Sequence, residues 1–216
     1  MGSFEDTGDN VVSVKSGRAA ILNMPVIRSH PMPAVSWVAD DSKALYGTKY
    51  AAVTPQASVP DATHQLVILS ADSSDQKAYR AHATNTQLGK EENSAYIRVI
   101  VIPDGNSEES EIAPEIVVPP SNLTVTKGEA LADLHCIANA RPLHMLETTW
   151  YKDGMRLEPL DEMDGGGYGF GDPWNRTLSL LSVGLVHHGH YSCQVRLRSG
   201  GHPTAIASAY VNIIGK

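Results

Sequence analysis

The sequence predicts an all-β protein made of two tandem β-sandwiches, and three observations lead to that prediction. The only cysteines, Cys136 and Cys193, lie far apart in the second half, with Trp150 between them and Tyr191 two positions before the second cysteine. Apolar residues alternate with polar ones around both cysteines, as they do in strands that bury one face. The chain also repeats itself weakly with a shift of about 112 residues.

The spacing of these four residues is typical of an immunoglobulin-type sandwich. In such a domain each sheet carries one cysteine, and a tryptophan packs against the disulfide. A tyrosine two residues before the second cysteine ties the corner of its strand to the backbone upstream. Closing a loop of this length removes conformational entropy from the unfolded chain, which corresponds to a free energy of about 4 kcal/mol at 25 °C. The second half therefore predicts a complete sandwich with the disulfide Cys136–Cys193.

The first half predicts the same sandwich without its disulfide. In the repeat, Trp37 corresponds to Trp150, and Tyr79 keeps the tyrosine position. Met24 and Ala81 stand where the cysteines would be. A long thioether opposite a methyl group can fill the volume of two sulfurs. We therefore expect this I-set-like half to depend on packing alone.

The domain boundaries follow from the repeat and from composition. We predict a first domain at residues 1–102, a linker at 103–113 and a second domain at 114–216. The linker is polar and acidic and shows no periodicity. At up to ~3.5 Å per residue it is long enough to permit a bend between the domains. Pro114, Pro119 and Pro120 follow the linker and suit an edge strand that opens the second domain.

The size and charge of the chain exclude several classes of protein. Its 216 residues suit two domains of roughly 100 residues each. A net charge of −7 and the lack of any lysine and arginine cluster argue against nucleic acid or an acidic membrane as partner. No stretch approaches the ~20 apolar residues of a membrane helix, and no signal peptide is visible. We interpret the chain as a piece of a larger protein that is not itself inserted in a membrane.

The cysteine pair and the glycosylation sequons indicate an oxidising compartment. Disulfides of this kind persist outside the cytosol. Two sequons, at Asn122 and Asn175, are each followed by threonine at the third position. Both lie in the second domain. We therefore predict an extracellular or lumenal glycoprotein.

The motifs of common enzyme and cofactor sites are missing from the sequence. There is no Gly-x-Ser-x-Gly elbow, no phosphate-binding loop ending in Gly-Lys-Ser/Thr and no Cys-x-x-Cys pair. We therefore predict that the chain is not an enzyme and that it binds no cofactor.

Histidines and carboxylates are the candidates for metal ligands. The histidines form one short cluster, His187, His188 and His190, in a turn that enters a predicted strand. Adjacent residues there point apart, and the carboxylates fall in polar turns. Solvated surface loops are therefore the favoured interpretation, and no metal is predicted. The acidic candidates are Asp40, Asp41, Asp72, Asp75, Glu108 and Glu109.

A glycine-rich run, residues 165–171 (GGGYGFG), precedes a predicted strand of the second domain. Glycine lowers local order, so we expect a flexible loop at the edge of the sandwich. Tyr168, Phe170 and the nearby Trp174 form an alternative set of adaptable contact residues.

A surface for partner contact is predicted on the first domain. Contact with another protein requires an exposed face with a few anchoring side chains, and the outward positions of the strands that carry the tryptophan and the tyrosine supply one. An apolar side chain beside two basic ones predicts a small hot spot with a polar rim. A face without glycans also pairs more easily. The candidate contact residues are Ser36, Val38, Arg80, His82 and Thr84.

Four segments are more specific than the generic sandwich and together resemble the sidekick family of immunoglobulin-superfamily cell adhesion proteins. The resemblance covers essentially the whole chain and fits the second and third immunoglobulin domains best. In that family the second domain also tends to lack its cysteines, and here Met24 and Ala81 occupy the two cysteine positions. The segments are residues 17–23 (GRAAILN), 65–69 (QLVIL), 116–122 (IVVPPSN) and 136–142 (CIANARP).

The resemblance implies a function in cell adhesion. It implies a parent chain with six immunoglobulin domains, many fibronectin type III domains and a single membrane span. It further implies homophilic recognition of the same protein on an apposed cell, at a synapse or cell junction, with the first four domains folded back into a horseshoe. Two other hypotheses stay open at this point: a receptor ectodomain for a different ligand, and a structural spacer in an intracellular filament protein.

Overall fold

The computed structural model describes residues 1–4, 11–25, 27, 31–41, 45–55, 63–105, 110–158 and 167–215. These residues form strands and three single-turn 3-10 helices, so the predicted all-β class is confirmed. Among them, no helix has the length and apolar character needed to cross a membrane. The chain divides into two compact units, Met1–Ser110 and Glu111–Lys216. The finer boundaries at 102 and 114 stay a prediction, and the first strand of the second unit already begins at Ile112.

The first unit packs two sheets against each other. One has the order β1-β8-β6-β3, with β1 parallel to β8 and β7 paired with β6, and the other has the order β2-β5-β4. The strands formed by its described residues are β1 (Val11–Lys15), β2 (Ala20–Pro25), β3 (Ala34–Ala39), β4 (Tyr50–Val53), β5 (Thr63–Ile68), β6 (Ala78–Asn85), β7 (Lys90–Asn93) and β8 (Ile97–Ile102).

The core of the first unit contains the two residues that stand at the cysteine positions. Met24 on β2 and Ala81 on β6 are 3% and 0% exposed and belong to one buried cluster. Trp37 lies opposite Ala81 in the β3–β6 ladder and is also buried. In the other sheet Met24 pairs with His64, a buried histidine whose two ring nitrogens make no hydrogen bond to any residue that the structure describes. This sandwich is therefore held by packing around a thioether, without a cross-link.

Where the structure describes the second unit, its strands are arranged in sheets of the order β10-β18-β17-β13-β14, β11-β16-β15 and β12-β9. These strands are β9 (Ile112–Val118), β10 (Leu123–Thr126), β11 (Leu131–His135), β12 (Ile137–Arg141), β13 (Leu146–Lys152), β14 (Met155–Arg156), β15 (Gly167–Phe170), β16 (Thr177–Leu181), β17 (Gly189–Leu197) and β18 (Ala205–Ile214).

The disulfide lies at the centre of this unit. Cys136 and Cys193 are bonded, with an S–S distance of 2.06 Å, and both are fully buried. Trp150 pairs with Cys193 across β13 and β17, and its indole N–H donates to the carbonyl of Asn175 at 2.7 Å. The indole is thus buried with its one polar atom satisfied.

Both units contain the corner tyrosine that the sequence predicts. The hydroxyl of Tyr79 donates to the carbonyl of Asp75 at 3.2 Å, and that of Tyr191 donates to the carbonyl of His187 at 3.0 Å. Burial raises the pKa of both phenols, so both stay protonated and able to donate. The two corners are the same structure built from different neighbouring residues.

The prediction of a flexible loop at residues 165–171 is wrong for the described part, 167–171. Residues 167–170 form the edge strand β15, which pairs with β16. Tyr168 is buried, packs edge to face with Phe170, and donates its hydroxyl to the carbonyl of Glu158 at 2.6 Å. The Gly-Tyr-Gly-Phe order is itself a period-two pattern with aromatic rings inward. The sequence-based prediction missed this pattern because glycine is rarely found in strands.

Candidate functional site

The five predicted contact residues lie together on one face of the first unit. In the β3–β6 ladder Ser36 pairs with His82, Val38 pairs with Arg80, and Thr84 lies opposite Ala34. The residues between them on both strands point inward, so all five project to the opposite, outward side. Ser36 is exposed and the other four are half-buried. We call these five residues the β3–β6 face.

A hydrogen-bonded histidine lies at the centre of this face. His82 Nδ1 lies 2.9 Å from the carboxamide oxygen of Asn93 on β7, and Nε2 lies 3.2 Å from the hydroxyl of Thr84. Because a carboxamide oxygen only accepts, Nδ1 carries the proton and Nε2 accepts from Thr84. Ser36 donates to the carbonyl of His82 at 3.4 Å. These bonds hold the imidazole in one orientation.

An arginine stacked on a tyrosine forms the other part of the face. The guanidinium carbon of Arg80 lies 5.0 Å from the ring centroid of Tyr96, a distance at which the cation is attracted to the ring. Arg80 Nε is buried and makes no hydrogen bond with the described residues. Tyr96 is 42% exposed. Arginine and tyrosine are the side chains that most often anchor protein interfaces.

Tyr96 is absent from the sequence-based prediction, although a signal for it exists. It has the same parity as Arg98, Ile100 and Ile102, which all point outward from β8 and are exposed. The alternation of β8 therefore extends one step back to Tyr96. The alternation cannot predict the contact between this ring and Arg80. Arg80 lies on β6 and Tyr96 directly precedes β8, and the ladder between these two strands is interrupted.

Ser94 lies at that interruption. β6 pairs with β7 as far as His82 and with β8 only at Ala78 and Tyr79. Between them the Ser94 N–H donates to the carbonyl of Ala81, and its hydroxyl oxygen accepts from the Ala81 N–H, both at 2.9 Å. A side-chain oxygen thus replaces one backbone acceptor of the ladder. The irregularity lies next to Tyr96 and separates the two strand segments.

The predicted acidic candidates are engaged in other interactions. The solvated loop that the sequence predicts is wrong for Asp75, which is fully buried. Its carboxylate accepts from the Tyr50 hydroxyl at 3.0 Å and lies 2.7 Å from Lys49 Nζ. Lys49 also pairs with Asp72. Burial disfavours the charged forms, but the hydrogen bonds outweigh it, so the pKa of Lys49 is raised and that of Asp72 is lowered. This arrangement is an internal ion-pair cluster rather than an open cation site.

The other acidic candidates also lack the geometry of a metal site where they are described. Asp41 pairs with Lys77 at 2.7 Å, and Asp40 accepts from the Ala78 N–H at 3.3 Å. Glu108 and Glu109 lie outside the described residues. Within the described part of the chain, no group of three or more histidine, cysteine or acidic residues could hold a metal ion.

The surface loop that the sequence predicts for the histidine cluster is wrong for one of its three members. His187 is fully buried. Its Nδ1 accepts from the Gly184 N–H at 3.0 Å, so Nε2 carries the proton and donates to the carbonyl of Gly167 at 3.0 Å. His188 and His190 are exposed. The prediction fails for His187 because a neutral imidazole can satisfy both of its nitrogens inside the protein.

The two sequons differ in their surroundings. Asn122 is exposed, and its side-chain oxygen accepts from the Tyr210 N–H at 2.8 Å. Asn175 is half-buried in a turn with a φ of 56°, and the hydroxyl of Thr177 lies 3.0 Å from His135 Nδ1. Glycosylation at both positions stays a prediction.

Comparison with known proteins covers both units. The immunoglobulin I-set domain family matches residues 3–99, and an immunoglobulin domain family matches residues 113–196. Over 214 residues, 99% of the chain, it is 48% identical to Protein sidekick of Drosophila melanogaster and 36% identical to Protein sidekick-1 of Homo sapiens. The chain spans 9% of the length of each of these relatives.

A solved structure agrees with these relatives. Immunoglobulin domains 1–4 of Sidekick-1 superimpose on the chain with a TM-score of 0.79 at 32% sequence identity. The match covers 99% of the chain and 51% of that structure. Two tandem domains of this chain therefore correspond to about half of a four-domain array.

Proposed function

Because the chain belongs to the sidekick family of immunoglobulin-domain cell adhesion proteins, we propose that it contributes to homophilic recognition between cells. Its partner is the same protein on an apposed cell, at a synapse or a cell junction. The family indicates an extracellular ectodomain of an adhesion protein and no enzymatic activity. We place the two units at the second and third immunoglobulin domains of the parent chain. The intracellular filament alternative does not agree with this family or with the disulfide.

The observation that carries the proposal is the stack of Arg80 on the exposed ring of Tyr96. Beside it lie the half-buried Val38 and the hydrogen-bonded His82 and Thr84. An aromatic and arginine anchor with a polar rim is the usual form of an interface hot spot. The rim is already ordered, so binding costs little further side-chain entropy.

The charges on this sheet allow it to pair with a second copy. Arg80 and Arg98 are basic, while Glu91 on β7 lies opposite Thr84 on the same outward side. In a twofold interface the same surface of both molecules meets, so a self-complementary face needs positive and negative side chains. No sequon lies in the first unit. A glycan therefore does not separate two such faces.

The test uses cell aggregation by the full-length parent protein. Non-adhesive cells that express it are expected to aggregate with each other and not with cells that express an unrelated adhesion protein. Substitution of Tyr96→Ala together with Ser36→Arg should reduce aggregation at least tenfold, because one removes the anchor and the other adds a bulky charge at an exposed position.

A matched variant and a purified sample complete the test. Arg196→Glu, at an exposed position of the second unit, should leave aggregation unchanged. Sedimentation of a four-domain fragment should show dimers that depend on concentration, and circular dichroism should show that each variant folds. Aggregation that persists with the folded double variant would reject this face. A strictly monomeric fragment together with non-aggregating cells would reject homophilic binding and favour a different ligand.

A further inference from the structure

The second unit has an exposed apolar surface beside a glycosylation sequon. Ile206, Tyr210 and Ile214 point outward from β18 and are 61%, 44% and 45% exposed. β10 runs parallel to β18, with Leu123 opposite Val211. The preceding residue, Asn122, therefore lies alongside Tyr210. Asn122 and Thr124 are both exposed, as the buried Leu123 between them requires in a strand.

The one hydrogen bond between Asn122 and Tyr210 is compatible with glycosylation. The side-chain oxygen of Asn122 accepts from the backbone N–H of Tyr210 at 2.8 Å. An N-linked glycan is attached to the amide nitrogen and leaves the carboxamide oxygen able to accept. A modified Asn122 therefore keeps this bond, which fixes the start of the glycan beside β18.

The ring of Tyr210 is held in place on the same surface. Its hydroxyl lies 2.8 Å from His188 Nε2, and the two rings meet edge to face with centroids 5.2 Å apart. The backbone on one side and His188 on the other therefore restrict the tyrosine. A restrained and exposed aromatic ring loses little entropy when a ligand packs on it.

We propose that Asn122 carries an N-linked glycan whose first N-acetylglucosamine packs on the exposed ring of Tyr210. The C–H groups of a sugar are weakly positive, and the face of a phenol ring is negative, so the two surfaces attract as well as exclude water. The glycan covers this part of the outward sheet of the second unit. That surface is consequently stabilised by its own carbohydrate and closed to protein partners.

The other sequon provides an internal comparison. Asn175 also has an aromatic neighbour, Trp174, but the guanidinium of Arg176 already lies 4.6 Å from the centre of that ring. Arg176 is held there by Asp172, whose carboxylate oxygen accepts from its Nε at 2.8 Å. The ring at this site is therefore occupied. A glycan at Asn175 is expected to add no stability that depends on Trp174.

The first test is occupancy and stability of the chain secreted from a eukaryotic host. Glycopeptide mass spectrometry should show carbohydrate on Asn122. Thr124→Ala removes the sequon and keeps Asn122 and its hydrogen bond, while Thr124→Ser keeps the sequon. We expect the Thr124→Ala variant to melt a few degrees lower than both the wild type and Thr124→Ser. The transition of the second unit is identified by its shift when Cys136–Cys193 is reduced.

A double-mutant comparison then assigns the effect to Tyr210. In a Tyr210→Ala background, Thr124→Ala should no longer lower the melting temperature, because the ring that the sugar contacts is gone. Trimming the wild-type glycan to a single N-acetylglucosamine should preserve the stabilisation. The proposal is overturned by an unmodified Asn122. It is equally overturned by a glycan whose stabilisation is the same with and without Tyr210.

Discussion

Asp75 in the first unit and His187 in the second accept the same hydrogen bond at the same turn, one through a carboxylate and the other through an imidazole nitrogen. The Asp72 N–H donates to Asp75 Oδ2 at 2.9 Å, and the Gly184 N–H donates to His187 Nδ1 at 3.0 Å. In both units the next strand carries a buried tyrosine whose hydroxyl donates to the backbone carbonyl of this residue, Asp75 or His187. The two units therefore share the structure of the corner, although the side chain that accepts the hydrogen bond is different.

The two solutions connect the corner to different parts of their sandwiches. Asp75 pairs with Lys49 Nζ and accepts from the Tyr50 hydroxyl. His187 donates its second nitrogen to Gly167, which belongs to the edge strand β15. The first corner thus depends on an ion pair, and the second holds an edge strand by a neutral hydrogen bond.

Removal of the buried imidazole should destabilise the second unit. We expect His187→Ala to lower the free energy of unfolding by about 2 kcal/mol, because the Gly184 N–H and the Gly167 carbonyl both lose a partner. His190→Ala, at an exposed position two residues on, should change it by less than about 0.5 kcal/mol. Urea unfolding measures both, and equal effects of the two variants would contradict the structural role of His187.

Breaking the ion-pair cluster should destabilise the first unit. Lys49→Met leaves the carboxylate of Asp75 buried without its cation, so we expect a loss of about 3 kcal/mol in the free energy of unfolding. Lys77→Met is the matched control, because its partner Asp41 is exposed and can be hydrated instead. We expect a loss below about 1 kcal/mol for that control, by the same urea titration. A loss of unfolding free energy for Lys49→Met as small as that of the control would show that Asp75 does not depend on the Lys49 ammonium group.

The first unit should lose stability on mild acidification because of His64. Burial lowers the pKa of His64, so the unfolded chain takes up the proton more readily than the folded one. Stability is therefore fully present above the ordinary histidine pKa of about 6.5 and falls as the pH drops below it, towards the folded pKa. His64→Leu should reduce this slope between pH 7.5 and 5.5. It should also raise stability at pH 7.5 by about 1 kcal/mol, since it removes two buried ring nitrogens that have no hydrogen-bond partner in the described part of the chain.

Urea unfolding at a series of pH values checks this prediction. Asp72 does not interfere, because its pKa is lowered and its protonation falls below the range used. The other histidines are common to both proteins and cancel in the difference between wild type and variant. A pH slope unchanged by His64→Leu would contradict the prediction.

A disulfide should form in the first unit when both cysteines are restored. Met24 and Ala81 lie in one core cluster at the positions of the bonded pair in the second unit. We expect the double variant Met24→Cys, Ala81→Cys to contain no free thiols and to gain about 3 kcal/mol relative to its own reduced form. Thiol titration and unfolding with and without reductant measure this. Two titratable thiols in the folded double variant would show that the cores differ.

The repeat and the alternation of polar and apolar residues were sufficient to predict the fold and which side chains share a face. Side-chain direction in a strand depends only on local parity, so Ser36 and Val38 could be placed on one surface without knowledge of the partner strand. The same rule failed at the edge strand β15, where glycine obscured the pattern, and at His187, where a polar residue is buried. Both failures concern groups whose burial depends on distant partners.

The sequence alone determined the sandwich class, the tandem repeat, the cysteine pair and its thioether counterpart, because these depend on spacing and local alternation. Only the tertiary structure decided that Tyr96 lies under Arg80, that His187 bonds Gly167 and that Asn122 lies beside Tyr210. Each of these contacts joins strands or loops through a specific register. A bulge or one interrupted ladder changes that register without leaving a periodic signal in the chain.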